Sequence, residues 1–460
     1  MAVALGENFL VAVNQFGVVL TCGQNDAGQL GLGLTPDADT DTKQRILLGA
    51  TEYEGEIHQR NAVMVSAGKK HAAFVTRGGS VYTWGDGAVG QLGVGAAASF
   101  RNPIPRLAYS TRSGGSRAIM VACGSNHTLL LTESGHVWGC GSNEYFQIGV
   151  QNMDDPLQLT NKRIQVFTIM PSARFDCGDG DTQIGFIAAG NKHSVAVGRA
   201  NGVLWTWGLG FSGNLGHGYD GIVPTHLPQE TFGEAVVSAS ASDTITMAIT
   251  SSGALWVCGN CPVGSLGLGE VLDCDAFQCI GIADDFGVRG VRMVACSQHH
   301  SLIVSHDGSV RVCGIDAQFN CQMVPTLIDP AYFNNEAVVL VSASKHRSVA
   351  VTASGRLYTW GVESANKFCG LGYTHGSGIG RAMIQTSPRQ VHRPIDLFGL
   401  WHRLLSVDEM LAFAMGMNLR LGRATRFQTM PDDVLECIQA SCILPGASHL
   451  GVGLRNLLGI

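Results

Sequence analysis

The sequence predicts an all-β protein built from a repeated unit, a β-propeller or a similar array. The first observation is a phrase that occurs seven times, roughly Gly-x-Val-x-x-(Trp/Cys)-Gly followed by a polar turn and Gly-Gln-Leu-Gly-x-Gly. The second is its spacing, because the glycine that closes each strand recurs after 62, 56, 67, 51, 55 and 47 residues. A period near fifty residues, made of short strands and glycine turns, is typical of propellers. The closing glycines are Gly23, Gly85, Gly141, Gly208, Gly259, Gly314 and Gly361.

The third observation is that the strands are apolar on both faces. Side chains alternate along a strand, so Val81 and Thr83 face one way while Tyr82 and Trp84 face the other. A sheet sandwiched between two neighbouring sheets, as in a propeller blade, has this pattern. Only 14% of residues are charged and 60 of 460 are glycine, while no segment reaches the ~20 continuous apolar residues of a membrane span.

A second strand-like run precedes each phrase and often ends in a histidine. Each unit therefore contains at least one hairpin. His71, His127, His193 and His300 occupy this register, and Phe9, Ile245 and Arg347 stand there in the weaker copies. We expect each histidine to hydrogen-bond to backbone within its own unit. Equivalent positions around a ring lie too far apart to share one metal ion.

The combined pattern resembles the RCC1 (regulator of chromosome condensation) repeat. The clearest copy runs from Ser66 to Gly95, and the resemblance covers about residues 4 to 416. It implies a seven-bladed β-propeller over residues 1–416. An eighth partner run, Ser406 to Met415, suggests that N- and C-terminal half-repeats meet in one blade and close the ring.

Residues 417–460 do not continue the repeat, and they predict a short C-terminal helical tail. Thr429-Met430-Pro431-Asp432 is typical of a helix start, and Pro445-Gly446 ends the apolar stripe that follows. One helix is therefore expected near residues 430–443. The opening of this helix faintly resembles an F-box, although too little chain follows for a complete one.

Charge and cysteine usage limit the class of protein. A net charge of −6 and a pI near 6.2 do not favour direct DNA binding, which needs a basic surface. An arginine-rich stretch, Arg381 to Arg426, could face a partner, or be a solvated rim. Cys22, Cys140, Cys258 and Cys313 stand where sister copies have tryptophan, so cysteine behaves as a small buried hydrophobe. This favours a reducing compartment, cytoplasmic or nuclear, and no signal peptide is visible.

Several short motifs invite a chemical interpretation that the repeat argues against. Gly208–Gly213 matches Gly-x-Gly-x-x-Gly but continues into the repeat's own turn rather than a helix. Ser66-x-x-Lys69 and Ser342-x-x-Lys345 share one register of two repeats, which indicates a scaffold position. Cys258 and Cys261 form one CxxC without a second pair at zinc spacing. We therefore assign no catalytic, cofactor-binding or metal-binding residue and expect no cofactor.

Function is expected in the loops on the two faces. The longest excursion, Gln151 to Gly185, is the first candidate for a partner contact, and an extra outer strand is the equal alternative. Among proteins with such repeats, the resemblance implies three classes: exchange factors for the GTPase Ran, photoreceptors and interaction modules. The photoreceptor class is rejected because the chain has only seven Trp and no Gly-Trp-Arg-His-Thr motif.

The leading hypothesis is an intracellular, monomeric protein-binding scaffold without catalysis. The alternative is a guanine-nucleotide exchange factor for a Ran-like GTPase, acting through a face loop without a catalytic triad. A weaker third is a substrate-recognition adaptor that uses the F-box-like tail. The sequence alone leaves the partner-binding residues unassigned.

Overall fold

The computed structural model describes residues 2–14, 17–31, 46–48, 62–95, 100–111, 115–150, 162–210, 212–218, 220–260, 263–270, 273–281, 290–315, 321–363 and 383–390. They belong to a unit of residues Met1–Val391; a second unit, His392–Ile460, lies outside the described residues. So do the eighth half-repeat, the predicted tail helix and, apart from the exposed Arg389, the arginines of the arginine-rich stretch.

Seven four-stranded antiparallel sheets follow one another along the chain, which confirms the all-β propeller with seven blades. In every sheet the four strands are hydrogen-bonded in chain order. Blades 1 to 4 contain β1 Ala2–Leu5, β2 Phe9–Val13, β3 Val19–Gly23, β4 Ile46–Leu48, β5 Ala62–Ala67, β6 His71–Thr76, β7 Val81–Asp86, β8 Arg101–Tyr109, β9 Ala118–Cys123, β10 His127–Thr132, β11 Val137–Ser142, β12 Arg163–Ile169, β13 Ile184–Ala189, β14 His193–Gly198, β15 Leu204–Gly208 and β16 Gly221–His226.

Blades 5 to 7 repeat this arrangement. They contain β17 Val236–Ala241, β18 Ile245–Thr250, β19 Leu255–Asn260, β20 Asp273–Gly281, β21 Val291–Cys296, β22 His300–Ser305, β23 Val310–Ile315, β24 Cys321–Leu327, β25 Val338–Ser344, β26 Arg347–Thr352, β27 Leu357–Glu363 and β28 Met383–Gln390. Short 3-10 helices lie at Ser172–Phe175, Gln229–Thr231 and Pro330–Phe333. No helix in the described part of the chain is long and apolar enough to cross a membrane.

The glycine that closes the third strand is required by backbone geometry. Gly85 has a φ of 102°, and a Cβ there would lie 2.4 Å from the Lys70 carbonyl oxygen. The equivalent Gly141 has a φ of 109°, and its Cβ would lie 2.5 Å from the Asn126 oxygen. Only glycine combines a positive φ with so close an approach of two chain segments, which explains why this residue marks the repeat.

The core lies between blades, where tryptophan and cysteine exchange places. Trp84 of blade 2 donates from Nε1 to the Gln29 carbonyl of blade 1, 2.8 Å away. Cys140 of blade 3 directs its thiol at the equivalent Gln91 carbonyl, 3.5 Å away. Cys140, Cys258 and Cys313 are fully buried, and the described cysteines are free thiols. Cysteine therefore acts as a small core residue in the tryptophan register, as predicted.

The ring is closed by contacts between the first and seventh blades. Ser342 Oγ accepts a hydrogen bond from the Leu5 amide (3.1 Å), and Ser344 Oγ donates to the Gly6 carbonyl (2.7 Å). The buried Arg347 donates to the carbonyls of Gly6 and Glu7. Among the described residues, each of the seven sheets takes its four strands from one consecutive stretch. The eighth run, Ser406 to Met415, lies outside the described residues, so ring closure by half-repeats stays a prediction.

Candidate binding site at the mouth of the central channel

The first strands of the seven blades pack against one another in a ring and surround the central channel. Each first strand ends in a tight turn that leads to the second strand of its blade. These turns meet at one face of the propeller, here called the first face. They enclose a cavity of about 240 Å³ that receives residues from all seven blades.

The cavity is built in tiers, because three successive positions of each turn line it. The floor is formed by small apolar side chains: Leu5, Ala67, Cys123, Ala189, Ala241, Cys296 and Ala343. The middle tier holds only glycine or serine: Gly6, Gly68, Gly124, Gly190, Ser242, Ser297 and Ser344. The rim carries the polar and charged side chains: Glu7, Lys69, Ser125, Asn191, Asp243, Gln298 and Lys345.

The size of the cavity limits what it can hold. Pockets for drug-sized ligands and cofactors usually measure about 300–1,000 Å³. At about 240 Å³, the mouth is too small for a dinucleotide and large enough for one side chain or a small solute. No cluster of three His, Cys, Asp or Glu residues that could hold a metal occurs among the described residues.

The repeated histidines lie directly beneath this mouth and link neighbouring blades. His71 Nε2 is 2.9 Å from Thr128 Oγ1 of the next blade, and His127 Nε2 is 3.0 Å from Ser194 Oγ. His193 reaches a hydroxyl in the same way. The remaining pair, 2.8 Å apart, joins the sixth and seventh blades through His300 and Ser348. The expectation of a bond to backbone within the same blade was therefore wrong. Each imidazole points across the blade boundary, where closure of the propeller brings a hydroxyl within hydrogen-bonding distance.

The bonds of the hydroxyl determine the tautomer of the histidine. Thr128 Oγ1 donates its one hydrogen to the Gln91 carbonyl, 2.7 Å away. The His71 ring must therefore donate from Nε2, which leaves Nδ1 unprotonated. Nδ1 of His71, His127 and His193 is buried and has no hydrogen-bond partner among the described residues. Burial lowers the pKa of His71 and His193 to about 4 and that of His127 to about 3, so these rings are neutral at pH 7.

The middle-tier glycine of blades 2 to 4 is required because it packs against the imidazole three residues later in the chain. A Cβ at Gly124 would lie 2.2 Å from His127 Cε1 and 2.4 Å from the Gly190 oxygen of the next blade. Blade 1 follows the same rule with a different ring, because a Cβ at Gly6 would lie 2.0 Å from Phe9. Blades 5, 6 and 7 have serine instead, so their turns accommodate a side chain at this position.

Backbone hydrogen bonds at the mouth also differ between the blades with glycine in the turn and those with serine. The turn amides of blades 1 to 4 donate to the turn of the following blade, as from Lys69 to the Ser125 oxygen (3.3 Å) and from Asn191 to the Ser242 oxygen (3.0 Å). Among the described residues no such backbone bond leads onward from the amides of Asp243, Gln298 or Lys345. Backbone bonds therefore join the turns of blades 1 to 5. Blades 5 to 7, here called the open side, lack such onward bonds, although the side chains of blade 7 still bond to blade 1.

The open side, blades 5 to 7, also carries the most varied chemistry. His299 and His346, in adjacent blades, stack with ring centroids 4.6 Å apart and an angle of 15°. Burial and the neighbouring His299 and Lys345 lower the pKa of His346 to about 4. Desolvation raises the pKa of the Asp243 carboxyl, more than Lys345, His299 and Lys69 lower it. These residues were not singled out from the sequence. The replacement of glycine by serine in their turns is the signal that could have found them.

The residues singled out from the sequence lie elsewhere or act as scaffold. Ser66 Oγ accepts the Cys123 amide (2.9 Å) and Ser342 Oγ the Leu5 amide, while their companions Lys69 and Lys345 lie on the rim. Gly208 ends β15, and no α-helix follows it among the described residues. Cys258 is buried, with its thiol pKa raised well above the usual value, and Cys261 lies outside the described residues.

The excursion Gln151 to Gly185 is only partly described. Residues 151–161 lie outside the described residues, and β12 forms the outer strand of blade 3. Within it Phe167 is buried, while Val166 is 53% exposed and Ile169 42% exposed. The described part of the excursion thus forms the fourth strand that every blade has, and a partner contact by this excursion stays a prediction.

Comparisons with known proteins agree with this architecture. The sequence model described as "RCC1-like domain" matches residues 1–324. The ultraviolet-B receptor UVR8 of Arabidopsis thaliana is 27% identical over 433 residues, which are 92% of this chain and 78% of that protein. The mouse E3 ubiquitin-protein ligase HERC2 is 29% identical over 317 residues, 68% of this chain but only 6% of HERC2.

Solved structures show the same fold. The crystal structure of human WBSCR16 superposes with a TM-score of 0.64 at 22% identity, covering 82% of this chain and 94% of that one. Yeast RCC1 (Prp20), solved bound to Kap60, gives a TM-score of 0.61 at 20% identity, covering 76% and 79%. At this level of identity the likeness concerns the fold.

Proposed function

The chain belongs to the RCC1-like domain family, and from that premise we propose that it is a non-enzymatic protein-binding scaffold that presents its first face to a partner. The observation that carries the proposal is the contrast between tiers at the mouth. Floor and middle tier keep small residues in every blade, apart from Leu5 of the floor, whereas the rim differs in nearly every blade. A constant framework with a varied rim is typical of a binding surface placed on a rigid fold.

The size and chemistry of the mouth support a binding role over catalysis. The repeated histidines are neutral and fully bonded at Nε2 to the neighbouring blade, so their role is to hold blades together. The charged rim residues Glu7, Lys69, Asp243 and Lys345 face a cavity that no cofactor-sized ligand fits. We further infer a monomer that works in a reducing cytoplasmic or nuclear compartment, because buried free thiols replace tryptophan in the core.

The activities of the relatives do not transfer with the fold. A photoreceptor of the UVR8 kind would need the Gly-Trp-Arg-His-Thr motif, which this chain lacks. None of its six described tryptophans is exposed, and Trp84 and Trp207 both donate to backbone of the preceding blade. Guanine-nucleotide exchange on a Ran-like GTPase stays the alternative, and an adaptor role of the F-box-like tail is the third proposal.

Two measurements test the scaffold proposal. Catalytic amounts of the protein should leave the rate of labelled GDP release from Ran unchanged, and a large acceleration would replace the scaffold with an exchange factor. Partner capture should be lost when Lys69 and Lys345 are both changed to glutamate. It should persist with Glu133→Lys, because Glu133 is exposed on the opposite face. Equal capture by both variants would place the binding surface elsewhere.

A further inference from the structure

The charges on the rim are separated around the mouth. Glu7 lies between Lys345 of blade 7 and Lys69 of blade 2, so this side carries a net charge of about +1 at neutral pH. Asp243 of blade 5 has the uncharged Asn191 and Gln298 as its rim neighbours, so that side carries a net charge of about −1. The mouth as a whole is neutral but has a positive and a negative side.

Asp243 is compensated only at longer range, by Lys345, His299 and Lys69. Its carboxylate makes no hydrogen bond or ion pair of 4 Å or less with the described residues, and desolvation is the largest influence on its pKa. Ser242, beside it in the middle tier, is 9% exposed, and its hydroxyl lies near the Cys296 thiol, a weak hydrogen-bonding group. Asp243 is half-buried and lacks a direct donor, so its carboxylate is placed to accept an ammonium from outside the chain, beside the Ser242 hydroxyl.

The positive charges that a bound anion would need are supplied by Lys69 and Lys345. Both are exposed on the rim and free to turn towards a bound anion. Beneath the rim, the floor of alanine and cysteine side chains with Leu5 offers an apolar surface. A ligand that satisfies all three features carries an ammonium, a carboxylate and a small apolar body.

We propose that the mouth binds a small aliphatic zwitterion of amino-acid size, with its ammonium at Asp243 and its carboxylate towards Lys69 and Lys345. The volume of about 240 Å³ suits such a ligand and excludes a nucleotide. A purely cationic ligand would leave the lysines unpaired, and a purely anionic one would meet Asp243 and Glu7. The dipolar rim therefore selects the ligand that has both charges.

Binding is measured by calorimetry with three probes on the full chain: L-leucine, L-leucinamide, which lacks the carboxylate, and N-acetyl-L-leucine, which lacks the ammonium. L-leucine should bind at least about tenfold more tightly than either analogue. Asp243→Asn should weaken L-leucine at least about tenfold and should not weaken N-acetyl-L-leucine, since it removes a carboxylate that repels the anion. The control Asp86→Asn alters a carboxylate that lies outside the cavity and should leave L-leucine binding unchanged.

Equal affinity for the three probes, or no saturable binding of L-leucine, would overturn the assignment. Asp243→Asn should keep the thermal stability of the parent because the carboxylate has no partner to lose, and Lys69→Met with Lys345→Met provides a second variant that should remove the preference for L-leucine over L-leucinamide. The site shares Lys69 and Lys345 with the surface of the scaffold proposal, but ligand binding and partner capture are separate measurements. Failure of the probes would leave partner capture at the first face to be decided by its own variants.

Discussion

Blades 2 to 4 and blades 5 to 7 are built on one repeat but solve the packing at the mouth in different ways. In blades 2 to 4, glycine lies against a buried histidine that reaches the next blade. In blades 5 to 7, serine replaces that glycine, and Ile245, His300 and Arg347 occupy the histidine register. The first group is uniform and tightly bonded, while the second carries Asp243 and the stacked pair of His299 and His346. Within one propeller, regular packing is thus found in blades 2 to 4, and chemically varied side chains lie in blades 5 to 7.

The junctions between blades show why the repeat tolerates this divergence. Between blades 1 and 2, Phe9 stands in the histidine register and Ala72 replaces the hydroxyl, so an apolar contact takes the place of the histidine–hydroxyl bond at this point of the junction. Between blades 5 and 6, Ile245 packs in an apolar cluster with Val294 and Cys296. Either a histidine–hydroxyl bond or a close apolar contact can hold two blades together, since both bury the same surface. The polar junction differs in being sensitive to acid.

The strictest test of the comparison is Gly124→Ala. The new Cβ would lie 2.2 Å from His127 Cε1 and 2.4 Å from the Gly190 oxygen, a backbone atom that can move little. We expect a loss of at least about 3 kcal/mol in the free energy of unfolding, measured by denaturant titration. Ser242→Ala, at the equivalent position of blade 5, should cost less than about 1 kcal/mol, because a Cβ is already accommodated there.

Gly78→Ala serves as the control for glycine replacement itself. Its Cβ would lie 3.9 Å from Thr76 Oγ1 and meet nothing closer. If Gly124→Ala were as stable as Gly78→Ala, the close packing of glycine on the histidine ring would not be what distinguishes the two groups of blades.

The second test uses acid. Burial lowers the pKa of His193 to about 4 from an ordinary 6.5, so the unfolded chain binds the proton more readily. The stability from this neutral histidine is complete above about pH 6.5 and is lost as pH falls towards 4. One such group should cost about 2 kcal/mol between about pH 7 and about pH 5.

Two variants extend this test, one that removes a buried histidine and one that adds a histidine. His193→Phe places an aromatic ring beside glycine, as in blade 1, and should flatten the pH profile of the free energy of unfolding by about 2 kcal/mol over that interval. Ile245→His installs a ring opposite Ser301 and should steepen it. Parallel profiles for the parent and both variants would show that the buried histidines do not set the acid sensitivity.

The repeat register could be predicted from the sequence because it is a local property. Alternating apolar residues and the closing glycines determine strand faces and turns over a few residues, and seven copies confirm each other. Cysteine in the tryptophan register could be predicted for the same reason. The partner of each histidine could not, since His71 and Thr128 are 57 residues apart and meet only when the ring is closed.

The candidate site was missed for the same reason. Asp243, His299 and His346 belong to three different repeats and become neighbours only at the mouth. In the sequence each one is a single polar residue in a turn, where polar residues are ordinary. The informative signal was the serine at the glycine position of the same three repeats. That signal depends on comparing the copies residue by residue rather than on recognising the repeat.

The smallest effect separates two serines at equivalent positions. Ser194 Oγ accepts from His127 Nε2 and donates to the Gln147 oxygen, 2.6 Å away, whereas Ser301 Oγ faces Ile245 and donates to the Ser265 oxygen, 2.9 Å away. Ser194→Ala leaves a buried ring N–H without an acceptor, and we expect a loss of about 2 kcal/mol in the free energy of unfolding. Ser301→Ala removes one hydrogen bond and strands no donor, so a loss of about 1 kcal/mol is expected. Combined with His127→Phe, the Ser194 substitution should cost less than it does alone, because the stranded donor is then absent. Strict additivity in that double-mutant cycle would mean that the histidine and the hydroxyl do not act as a unit, and that the polar junction is held by its apolar surroundings alone.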